Sequence, residues 1–397
     1  MRKTRVRRIE RIERYLVRII QQEGADLGHP LPIRLLLAFL KGVSLIFRMI
    51  VAIRLFFYRT GVLRRYPLGC QVISVGNITA GGTGKTPVVE IFARELLKAG
   101  RKVAILSRGY RKKEAPWYQR MFSEKIEPPR VVSDGKHLLL DSEMGGDEPY
   151  MLASNLPGVV VLVDRNRVKS GRYAVKKFGC DTLILDDGFQ YQKLQHRLEV
   201  VLVDKTNPFG NGNLLPRGVL REPVKNLKRG DFIFITKSDG HSEELRKRIR
   251  ELNDHAEIIE CRHQPRYLQD VYTGQHLPLE WLQGKTVTTL SGIAVPQSFE
   301  NSLRRMGAKV IYCERYADHH RYCAQEIINI LNKSSDLHAH AVLTTEKDAV
   351  RFPHFESTPV PVYYLRVDIE ILEGAENFRD AVSHICFHRK REKPSHA

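Results

Sequence analysis

Short apolar runs alternate with helical patterns through the middle of the chain. The runs lie at residues 103–106, 159–163, 182–185, 200–203 and 232–235, and polar residues follow each of them. Continuous apolar strands separated by helices are typical of a parallel sheet with helices on both faces. Ligands bind such sheets at the carboxyl ends of the strands. The pattern therefore predicts an α/β fold whose polar strand ends form a binding site.

A glycine-rich turn joins the apolar run at residues 70–75 to a helical pattern that begins near residue 85. Its sequence over residues 75–87 is VGNITAGGTGKTP. Such a loop directs backbone N–H groups and a helix N-terminus at one point, which suits a phosphate. Lys85 would reach the outer phosphates and the Thr86 hydroxyl would bind Mg²⁺. The turn therefore predicts a P-loop NTPase, although Thr79 stands where the simple pattern has glycine.

The pattern changes after residue 256. Residues 257–285 hold short alternating stretches broken by proline and glycine, which predicts a β-ribbon linker. A second, smaller α/β unit is predicted from strand-like runs at residues 286–290, 310–312, 341–344 and 361–365. The predicted domains are a basic, membrane-associating N-terminal segment (1–66), a P-loop NTPase domain (67–256), the linker (257–285), a smaller C-terminal α/β domain (286–388) and a basic tail (389–397).

An apolar stretch at residues 31–58 is interrupted by basic residues. Arg34, Lys41 and Arg48 recur every seven residues and Arg54 follows six later, so we expect all four near one line along a helix. No uncharged stretch exceeds six residues, whereas a spanning helix needs about twenty predominantly apolar residues. The pattern favours an amphipathic helix in the membrane interface, with the basic side toward the headgroups. The alternative is a buried amphipathic helix.

The positive charge is concentrated at the N-terminus. The formal net charge is +19, and residues 1–66 carry 15 Lys or Arg against 4 Asp or Glu. A nucleic-acid-binding protein usually spreads its basic face over the folded domain, so we expect an anionic membrane surface as partner and no nucleic acid. Residues 1–20 suggest a second basic amphipathic helix. A signal peptide is not expected, because about thirty polar residues precede the apolar run.

The six cysteines are scattered along the chain without a C-x-x-C pair. This indicates a reducing cytosol and argues against a disulfide framework or a zinc ribbon. Cys313, His319, His320 and Cys323 lie close in sequence, but their spacing matches no common zinc pattern.

Acidic and basic residues that suit phosphoryl transfer follow several predicted strands. Asp186 and Asp187 come directly after the run at 182–185 and are the best candidates for metal binding. Asp147 and Glu148 add two carboxylates on a glycine loop. Asp318 with His319 and His320 could position or deprotonate a substrate hydroxyl. Guanidinium groups that could clamp phosphate are predicted at Arg108, Arg165, Arg167 and Arg221.

Seven strings occur in order and together resemble the tetraacyldisaccharide 4′-kinase family of lipid A biosynthesis. They are GNITAGGTGKTP (76–87), SRGY (107–110), GDEP (146–149), DDGFQ (186–190), NGNLLP (211–216), LREP (220–223) and TTEKDA (344–349). The resemblance covers about residues 31–378. It implies transfer of the γ-phosphoryl group of ATP to the 4′-hydroxyl of an acylated glucosamine disaccharide 1-phosphate. It also implies Mg²⁺ and the cytoplasmic face of the inner membrane, and we expect no obligate protein partner.

Matched motif by motif, the resemblance implies that Asp147 is the general base and that His319, from the second domain, is its partner. A base and a partner in different domains would make catalysis depend on domain closure. ATP would be bound by Thr79, Ala80, Gly81, Gly82, Thr83, Gly84, Lys85 and Thr86, with Lys85 catalytic. Mg²⁺ would be bound by Thr86, Asp186, Asp187 and Glu148. The substrate and the moving phosphate would be lined by Ser107, Arg108, Tyr110, Arg167, Arg221 and Glu222.

Two positions depart from the family pattern. Tyr191 stands where the family commonly has histidine after the DDGFQ string, and Ala294 replaces the second glycine of a loop at residues 291–296. We expect altered loop geometry at Ala294 and no loss of activity.

Two other function classes fit parts of the sequence. Residues 236–239 (TKSD) resemble the guanine-selecting motif of GTPases, which suggests a membrane-associated GTPase. A non-enzymatic adaptor with a vestigial phosphate loop is the second alternative, and it predicts that Lys85 is dispensable.

Overall fold

The computed structural model describes residues 30–109 and 127–386. The helix predicted at residues 1–20 and the tail predicted at 389–397 lie outside the described residues. The strands are β1 Gln71–Asn77, β2 Val103–Ser107, β3 Arg130–Asp134, β4 Val160–Val163, β5 Thr182–Asp186, β6 Leu198–Asp204, β7 Phe232–Thr236, β8 Glu257–Asp270, β9 His276–Leu277, β10 Thr286–Ser291, β11 Lys309–Arg315, β12 Ala341–Thr345 and β13 Val362–Glu373.

Helices lie between most of these strands. They are α1 Leu31–Arg59, α2 Lys85–Lys98, α3 Ser142–Gly145, α4 Asp147–Asn155, α5 Arg167–Phe178, α6 Glu243–Leu252, α7 Pro296–Arg305, α8 Ala324–Asp336, α9 Glu346–Ala349 and α10 Ala375–Cys386, with 3-10 turns at Val224–Arg229 and Leu279–Leu282. The alternation of strands and helices confirms the predicted α/β fold.

The chain divides into two units. Unit 1 comprises Met1–Leu106, Asn166–Arg262 and Ile371–Ala397, and unit 2 comprises Ser107–Arg165 and His263–Glu370. Residues 107–165 therefore fall in unit 2, together with most of the C-terminal strands. The domain boundaries predicted at residues 66, 256, 285 and 388 stay predictions.

Unit 1 is built on a parallel sheet. Strand β1 pairs in parallel with β5 and β6, β5 pairs with β2, β6 with β7, and β7 with the first residues of β8. Val75 of β1 lies in register with Asp186 of β5, so the phosphate-loop strand and the acidic strand end at the same edge of the sheet. The sheet is buried as its apolar sequence requires: Ile73, Ile184 and Val201 have no exposed surface.

Unit 2 contains a smaller parallel arrangement and two antiparallel pairs. Strand β10 pairs in parallel with β11 and β12, and β12 pairs in parallel with β13. The end of β8 pairs antiparallel with β9, within the segment predicted as a β-ribbon. The pairing of β3 with β4 is also antiparallel, which differs from the all-parallel pattern expected for the run at 159–163.

Helix α1 contacts the rest of unit 1 along a narrow seam. Leu37, Ser44, Val51 and Leu55 are buried, and the Ser44 hydroxyl donates a hydrogen bond of 2.8 Å to the Leu214 carbonyl. Ile33, Leu40, Val43, Phe47 and Tyr58 are half-buried. The other apolar positions are exposed, and the large ones among them are Leu31, Leu35, Leu36, Phe39, Leu45, Ile46, Met49, Ile50, Ile53, Phe56 and Phe57. Helix α1 is therefore not the buried helix of the alternative interpretation. By length and composition it could cross a membrane.

The predicted single line of basic residues on α1 holds for three of the four. At about 100° per residue, Arg34, Lys41 and Arg48 lie within about 40° of one another, whereas Arg54 lies about 200° from Arg34. The Arg54 guanidinium donates to the Gln190 carbonyl. The prediction was wrong for Arg54 because a step of six residues does not return to the same face of a helix. Basic residues therefore flank the docked seam on both sides.

Candidate active site

The phosphate loop lies between the end of β1 and the start of α2 in unit 1. Gly81 has φ of +116° and Gly84 has φ of +81°, in the left-handed region that glycine adopts without steric cost. A Cβ atom added to Gly81 or Gly82 would meet no atom within 4 Å. The backbone of the loop is therefore open on the side where a phosphate would approach.

Hydrogen bonds hold the loop from inside and from the neighbouring strand. The Asn77 side-chain amide donates to the Thr79 carbonyl at 2.8 Å, and the Ala80 N–H donates to the Val219 carbonyl at 2.6 Å. The Thr236 hydroxyl donates to the Thr83 carbonyl at 2.8 Å. These contacts fix the shape of the loop.

The TKSD segment that resembles a guanine-selecting motif lies against this loop. The Lys237 ammonium donates to the Gly82 carbonyl at 3.1 Å and pairs with an Asp204 oxygen at 2.5 Å. Asp239 is exposed and pairs with Lys205, and hydrogen bonding from Lys205 lowers the pKa of Asp239 to about 2. Lys237 thus braces the phosphate loop.

Five polar side chains form what we call the phosphate-loop cluster: Asn77, Lys85, Asp187, Gln190 and Arg221. The Lys85 ammonium lies 3.6 Å from Asp187 Oδ1 and 3.4 Å from Asn77 Oδ1. Arg221 Nη1 donates to both Asp187 oxygens, at 2.9 Å and 2.8 Å. Burial raises the pKa of Asp187, but the charges of Lys85 and Arg221 outweigh it and hold that pKa below its usual value. Asp187 is therefore a carboxylate held between two cations.

The other residues predicted to bind Mg²⁺ are separated between the two units. Asp186 ends β5 and is buried, and Thr86 lies in the first turn of α2. Glu148 lies in unit 2, in the first turn of α4. No three His, Cys, Asp or Glu side chains gather as a metal site within residues 30–109 and 127–386. A Mg²⁺ ion at a phosphate site needs only one or two carboxylates besides phosphate oxygens, so the donors beside the loop fit such an ion.

Two predicted substrate residues of unit 1 lie in structural contacts. The Arg167 guanidinium stacks over the Tyr191 ring at 4.8 Å. The residue that departs from the family pattern, Tyr191, therefore packs against an arginine that is predicted to bind phosphate. The Glu222 carboxylate is buried, where it accepts a hydrogen bond of 2.8 Å from Asn226 and pairs with Arg229 at 3.1 Å. Glu222 therefore anchors the loop that carries Arg221.

The remaining predicted substrate residues begin unit 2. The Ser107 carbonyl accepts a hydrogen bond of 3.1 Å from the Asp164 N–H, and Arg108 is exposed. Gly109 has φ of +72°, and a Cβ atom there would lie 2.5 Å from a Val163 methyl, so only glycine fits this turn. Tyr110 lies outside the described residues.

The second group of polar side chains, which we call the Asp147 cluster, lies entirely in unit 2. Its members are Asp147, His319, Arg321, Lys347, Asp348 and Arg351. Asp147 Oδ2 accepts a hydrogen bond of 2.8 Å from Arg351 Nε and lies 3.3 Å from His319 Nδ1, while Oδ1 accepts one of 3.0 Å from Arg321 Nη2. The structure therefore joins the predicted base to its predicted partner.

A buried ion pair supports this contact. Arg351 Nη1 donates to Asp348 Oδ1 at 3.2 Å, and both side chains have no exposed surface. Asp348 also accepts from the Tyr322 hydroxyl at 3.0 Å and from the Gly292 N–H at 3.1 Å. Burial first, then the Asp348 charge, raise the pKa of Tyr322 well above its usual value, so the phenol stays a donor. Tyr322 and Gly292 thus hold the Asp348 carboxylate, and that carboxylate holds Arg351, which donates to Asp147.

The backbone near His319 is tightly specified. His319 has φ of +62°, an uncommon conformation for a residue with a side chain, and its N–H donates to the Gly292 carbonyl at 3.2 Å. A Cβ atom at Gly292 would lie 2.8 Å from the Tyr322 hydroxyl. Glycine is therefore required at residue 292, while Ala294, the family departure in the same loop, is exposed.

Two findings differ from the sequence-based expectations. Asp147 and His319 fall in the same unit, whereas the sequence placed them in different domains. The sequence-based prediction also lacked Arg321, Lys347, Asp348 and Arg351. The available signals were the string DHHR at residues 318–321 and the TTEKDA string, whose Lys and Asp received no role.

Comparison with known proteins identifies one family. The model of the tetraacyldisaccharide-1-P 4′-kinase (LpxK) family matches residues 36–386. The tetraacyldisaccharide 4′-kinase of Syntrophus aciditrophicus is 37% identical over 338 residues, covering 83% of this chain and 87% of the relative. That of Anaeromyxobacter dehalogenans strain 2CP-C is 39% identical over 342 residues, covering 85% and 87%. A crystal structure of the "apo" form of LpxK from Aquifex aeolicus in complex with ATP has 28% identity and a TM-score of 0.70, covering 89% of this chain and all of that one.

Proposed function

The chain belongs to the tetraacyldisaccharide-1-P 4′-kinase (LpxK) family, and from that premise we propose how its residues carry out the reaction. It is an ATP-dependent tetraacyldisaccharide 4′-kinase of lipid A synthesis. The GTPase alternative is not favoured. The acceptor is an acylated disaccharide 1-phosphate, and the reaction forms a new phosphomonoester at its 4′-hydroxyl. The observation that carries our assignment of roles is the contact of Asp147 with His319, Arg321 and Arg351.

The phosphate loop, residues 79–86, binds the triphosphate of ATP. Support comes from the open backbone at Gly81 and Gly82 and from the Lys85 ammonium beside the loop. Phosphoryl transfer depends on positioning and on neutralising the charge of the phosphates. Lys85 leaves Asp187 for the phosphate oxygens when ATP binds, and Arg221 keeps Asp187 in place through its two hydrogen bonds.

Mg²⁺ is the expected metal, and the donor set beside the loop fits it. Thr86 and Asp186 are the residues that would hold it on the nucleotide, with Asp187 and Glu148 as further acidic residues for the same role. The ion would supply positive charge to the phosphate oxygens.

Asp147 takes the proton of the 4′-hydroxyl. An ionised carboxylate has about four acceptor sites, and Asp147 uses two on Oδ2 and one on Oδ1 among the described residues. The hydroxyl proton therefore approaches Oδ1, on the half-exposed side where Arg321 lies. His319 and Arg351 hold the carboxylate in place during the transfer.

The remaining predicted residues are assigned to substrate binding. We assign Arg108 and Arg167 to anionic groups of the substrate and the nucleotide, because a guanidinium matches phosphate oxygens in bidentate geometry. Ser107 and Tyr110 remain substrate candidates from the family motif, and Glu222 acts by positioning Arg221.

Helix α1 anchors the enzyme on the cytoplasmic face of the inner membrane, lying in the interface with its exposed apolar face in the acyl layer. The docked seam, the exposed apolar face and the flanking basic residues support this arrangement. Phe39, Ile46 and Ile53 share one face of the helix, away from the docked seam. The triple variant Phe39→Ser, Ile46→Ser, Ile53→Ser therefore leaves that seam intact. We expect this triple variant to lose most of its binding to anionic vesicles and to keep its fold. Unchanged sedimentation with vesicles would assign the anchor to another surface.

A transfer assay tests the function itself. The purified full chain is incubated with ATP labelled at the γ position and the tetraacyldisaccharide 1-phosphate in detergent micelles. We expect labelled lipid carrying a second phosphomonoester, and no labelled lipid when the acceptor lacks its 4′-hydroxyl. Label released only as inorganic phosphate at the same rate with and without lipid would contradict the assignment.

A further inference from the structure

The groups around the His319 ring decide which of its two nitrogens carries the hydrogen. His319 Nε2 lies 3.2 Å from the Lys347 ammonium and 3.9 Å from an Asp318 oxygen. His319 Nδ1 lies 3.3 Å from Asp147 Oδ2 and 3.4 Å from Arg351 Nη2. The ring therefore has a cation beside each nitrogen and a carboxylate oxygen close to Nδ1.

Only one neutral tautomer satisfies the two shortest of these contacts. A lysine ammonium donates hydrogen bonds and never accepts them. Nε2 must therefore carry the lone pair that accepts the hydrogen bond from Lys347. Nδ1 then carries the hydrogen and donates it to Asp147. The Arg351 Nη2 contact with Nδ1 is not a hydrogen bond in this tautomer, and Arg351 is already held by Asp147 and Asp348. The opposite tautomer would place two donors face to face at Nε2 and a lone pair against the Asp147 carboxylate.

Lys347 is itself held in position. Its ammonium lies 3.7 Å from Asp318 Oδ1 and 3.9 Å from Glu148 Oε1, and its side chain is 26% exposed. Two carboxylates thus hold the ammonium beside the ring, and the distances leave His319 Nε2 as its shortest polar contact among those described.

Lys347 belongs to a short segment that contacts both members of the Asp147–His319 pair. Helix α9, residues 346–349, begins after Thr345, whose hydroxyl bonds to Asp348. Lys347 contacts the far side of the His319 ring, and Arg351, held by Asp348, contacts Asp147. The segment from Thr345 to Arg351 therefore fixes the position of the carboxylate and the proton of the imidazole together.

We propose that Lys347 is a positioning residue of the kinase reaction, which holds His319 in the Nδ1–H tautomer by donating to Nε2 and thereby orients Asp147. This inference rests on the proposed role of Asp147. Without the Lys347 donor, the Nδ1–H tautomer loses the hydrogen bond at Nε2 that favours it, and the hydrogen bond to Asp147 Oδ2 is lost for part of the time. Neither Lys347 nor His319 belongs to the phosphate loop, so we expect the loss of Lys347 to change ATP binding little.

The direct test is the tautomer in the wild-type protein. The full chain, labelled with ¹⁵N-histidine and held in detergent micelles, gives long-range ¹H–¹⁵N correlations that distinguish Nδ1–H from Nε2–H. The His319 signals are identified by their absence from His319→Gln. We expect a neutral Nδ1–H ring, and a neutral Nε2–H ring would overturn the proposal.

Variants then connect the tautomer to turnover. We expect Lys347→Met to lower kcat about tenfold to a hundredfold, part of the about 10²–10⁴-fold that proton transfer contributes, with the KM for ATP within about twofold of wild type. Lys347→Arg keeps a donor and should restore part of kcat and the Nδ1–H signal. Lys333→Met, on the exposed side of α8 in the same unit, is the matched control and should behave as wild type.

The outcomes separate this inference from the proposed function. Wild-type turnover in Lys347→Met, beside an inactive Asp147→Ala, would overturn the role of Lys347 alone. Loss of turnover in Lys347→Met with an unchanged Nδ1–H signal would also overturn it, because the lysine would then act by another route. Near-wild-type turnover in Asp147→Ala would instead remove the proposed base.

Discussion

The phosphate-loop cluster of unit 1 and the Asp147 cluster of unit 2 differ in how far their charged side chains are exposed to a ligand. In unit 1 the Asp187 side chain is 31% exposed between Lys85 and Arg221, and the loop beside it presents bare backbone. In unit 2 Arg351 and Asp348 are completely buried, and Asp147 is 11% exposed. The first cluster is open to a ligand that brings its own charge. In the second cluster the charged groups already bind one another, and Asp147 Oδ1 keeps one acceptor site for a substrate proton.

The difference follows from the two tasks. Binding a phosphate requires N–H groups and a cation, which a single glycine loop and helix start supply. Removing a proton requires one carboxylate in a fixed orientation, and partners from elsewhere in the chain must hold it. Variants in the two clusters should therefore fail in different ways, and the following predictions test that division.

The largest effect is expected at Lys85. Lys85→Ala removes the cation beside the phosphate loop, so we expect loss of nearly all turnover with the fold preserved. Lys98→Ala, at the exposed end of the same helix, should keep wild-type turnover. The measurements are the labelled transfer assay and circular dichroism. An active Lys85→Ala enzyme would support the adaptor alternative, in which the phosphate loop is vestigial.

Asp147→Ala should show the opposite division between binding and chemistry. We expect turnover to fall more than in His319→Ala, because the carboxylate itself receives the proton, while the dissociation constant for ATP changes little. Single-turnover transfer and equilibrium binding of ATP measure the two quantities separately. An unchanged rate of transfer would remove Asp147 as the base.

His319→Ala should cost about 10²–10⁴-fold in turnover if the imidazole supports general-base chemistry. The physical reason is the loss of the Nδ1 contact that orients Asp147 Oδ2. His320→Phe is the neighbouring control and should keep most of the turnover, since His320 stacks on Tyr316 at 4.4 Å and its ring nitrogen pairs with Glu326 at 2.9 Å. A near-wild-type rate for His319→Ala would show that this histidine is structural.

The next prediction concerns stability, and it compares Arg351 and Arg321, the two arginines that donate to Asp147. Arg351→Met leaves Asp348 buried without its cation, and breaking a buried pair costs about 3–5 kcal/mol of unfolding free energy. Arg321→Met removes a pair whose arginine is 45% exposed, and such surface pairs contribute about 0–1 kcal/mol. Denaturant unfolding in detergent measures both. Equal losses would show that burial does not distinguish the two contacts.

The sequence revealed the two clusters unequally, for a physical reason. Residues 75–87 are contiguous, so their glycines, lysine and threonine identify a phosphate loop without any knowledge of the fold. Asp147 lies 172 residues from His319 and 204 from Arg351, and no local pattern joins positions so far apart. The family motifs named Asp147 and His319, but the buried pair of Asp348 and Arg351 became recognisable only when β12 and α9 placed them beside Asp147.

Helix α1 illustrates the same limit. Its apolar and basic periodicity predicted a membrane-associated helix, whereas the seam formed by Leu37, Ser44, Val51 and Leu55 depends on the surface of unit 1 that receives it. The Arg54 guanidinium donates to the Gln190 carbonyl, 136 residues away, and no local pattern indicates that contact.

The smallest effect is a pH dependence in unit 1. The folded-state pKa of Asp187 is lowered, so its charge contributes stability above the unfolded pKa of about 3.9, and that contribution is lost as pH falls through the lower folded value. The difference in unfolding free energy between wild type and Asp187→Asn should be constant near neutral pH and should shrink below about pH 4. A difference that stays constant down to pH 2 would contradict this assignment.

A crystal structure of the full chain with a non-hydrolysable ATP analogue and the acceptor lipid tests the division of labour most directly. The account predicts the β- and γ-phosphates on the N–H groups of residues 81–85, with Lys85 turned from Asp187 toward them, and the 4′-hydroxyl within hydrogen-bond distance of Asp147 Oδ1. A nucleotide bound away from that loop, or a 4′-hydroxyl held by another base, would contradict it.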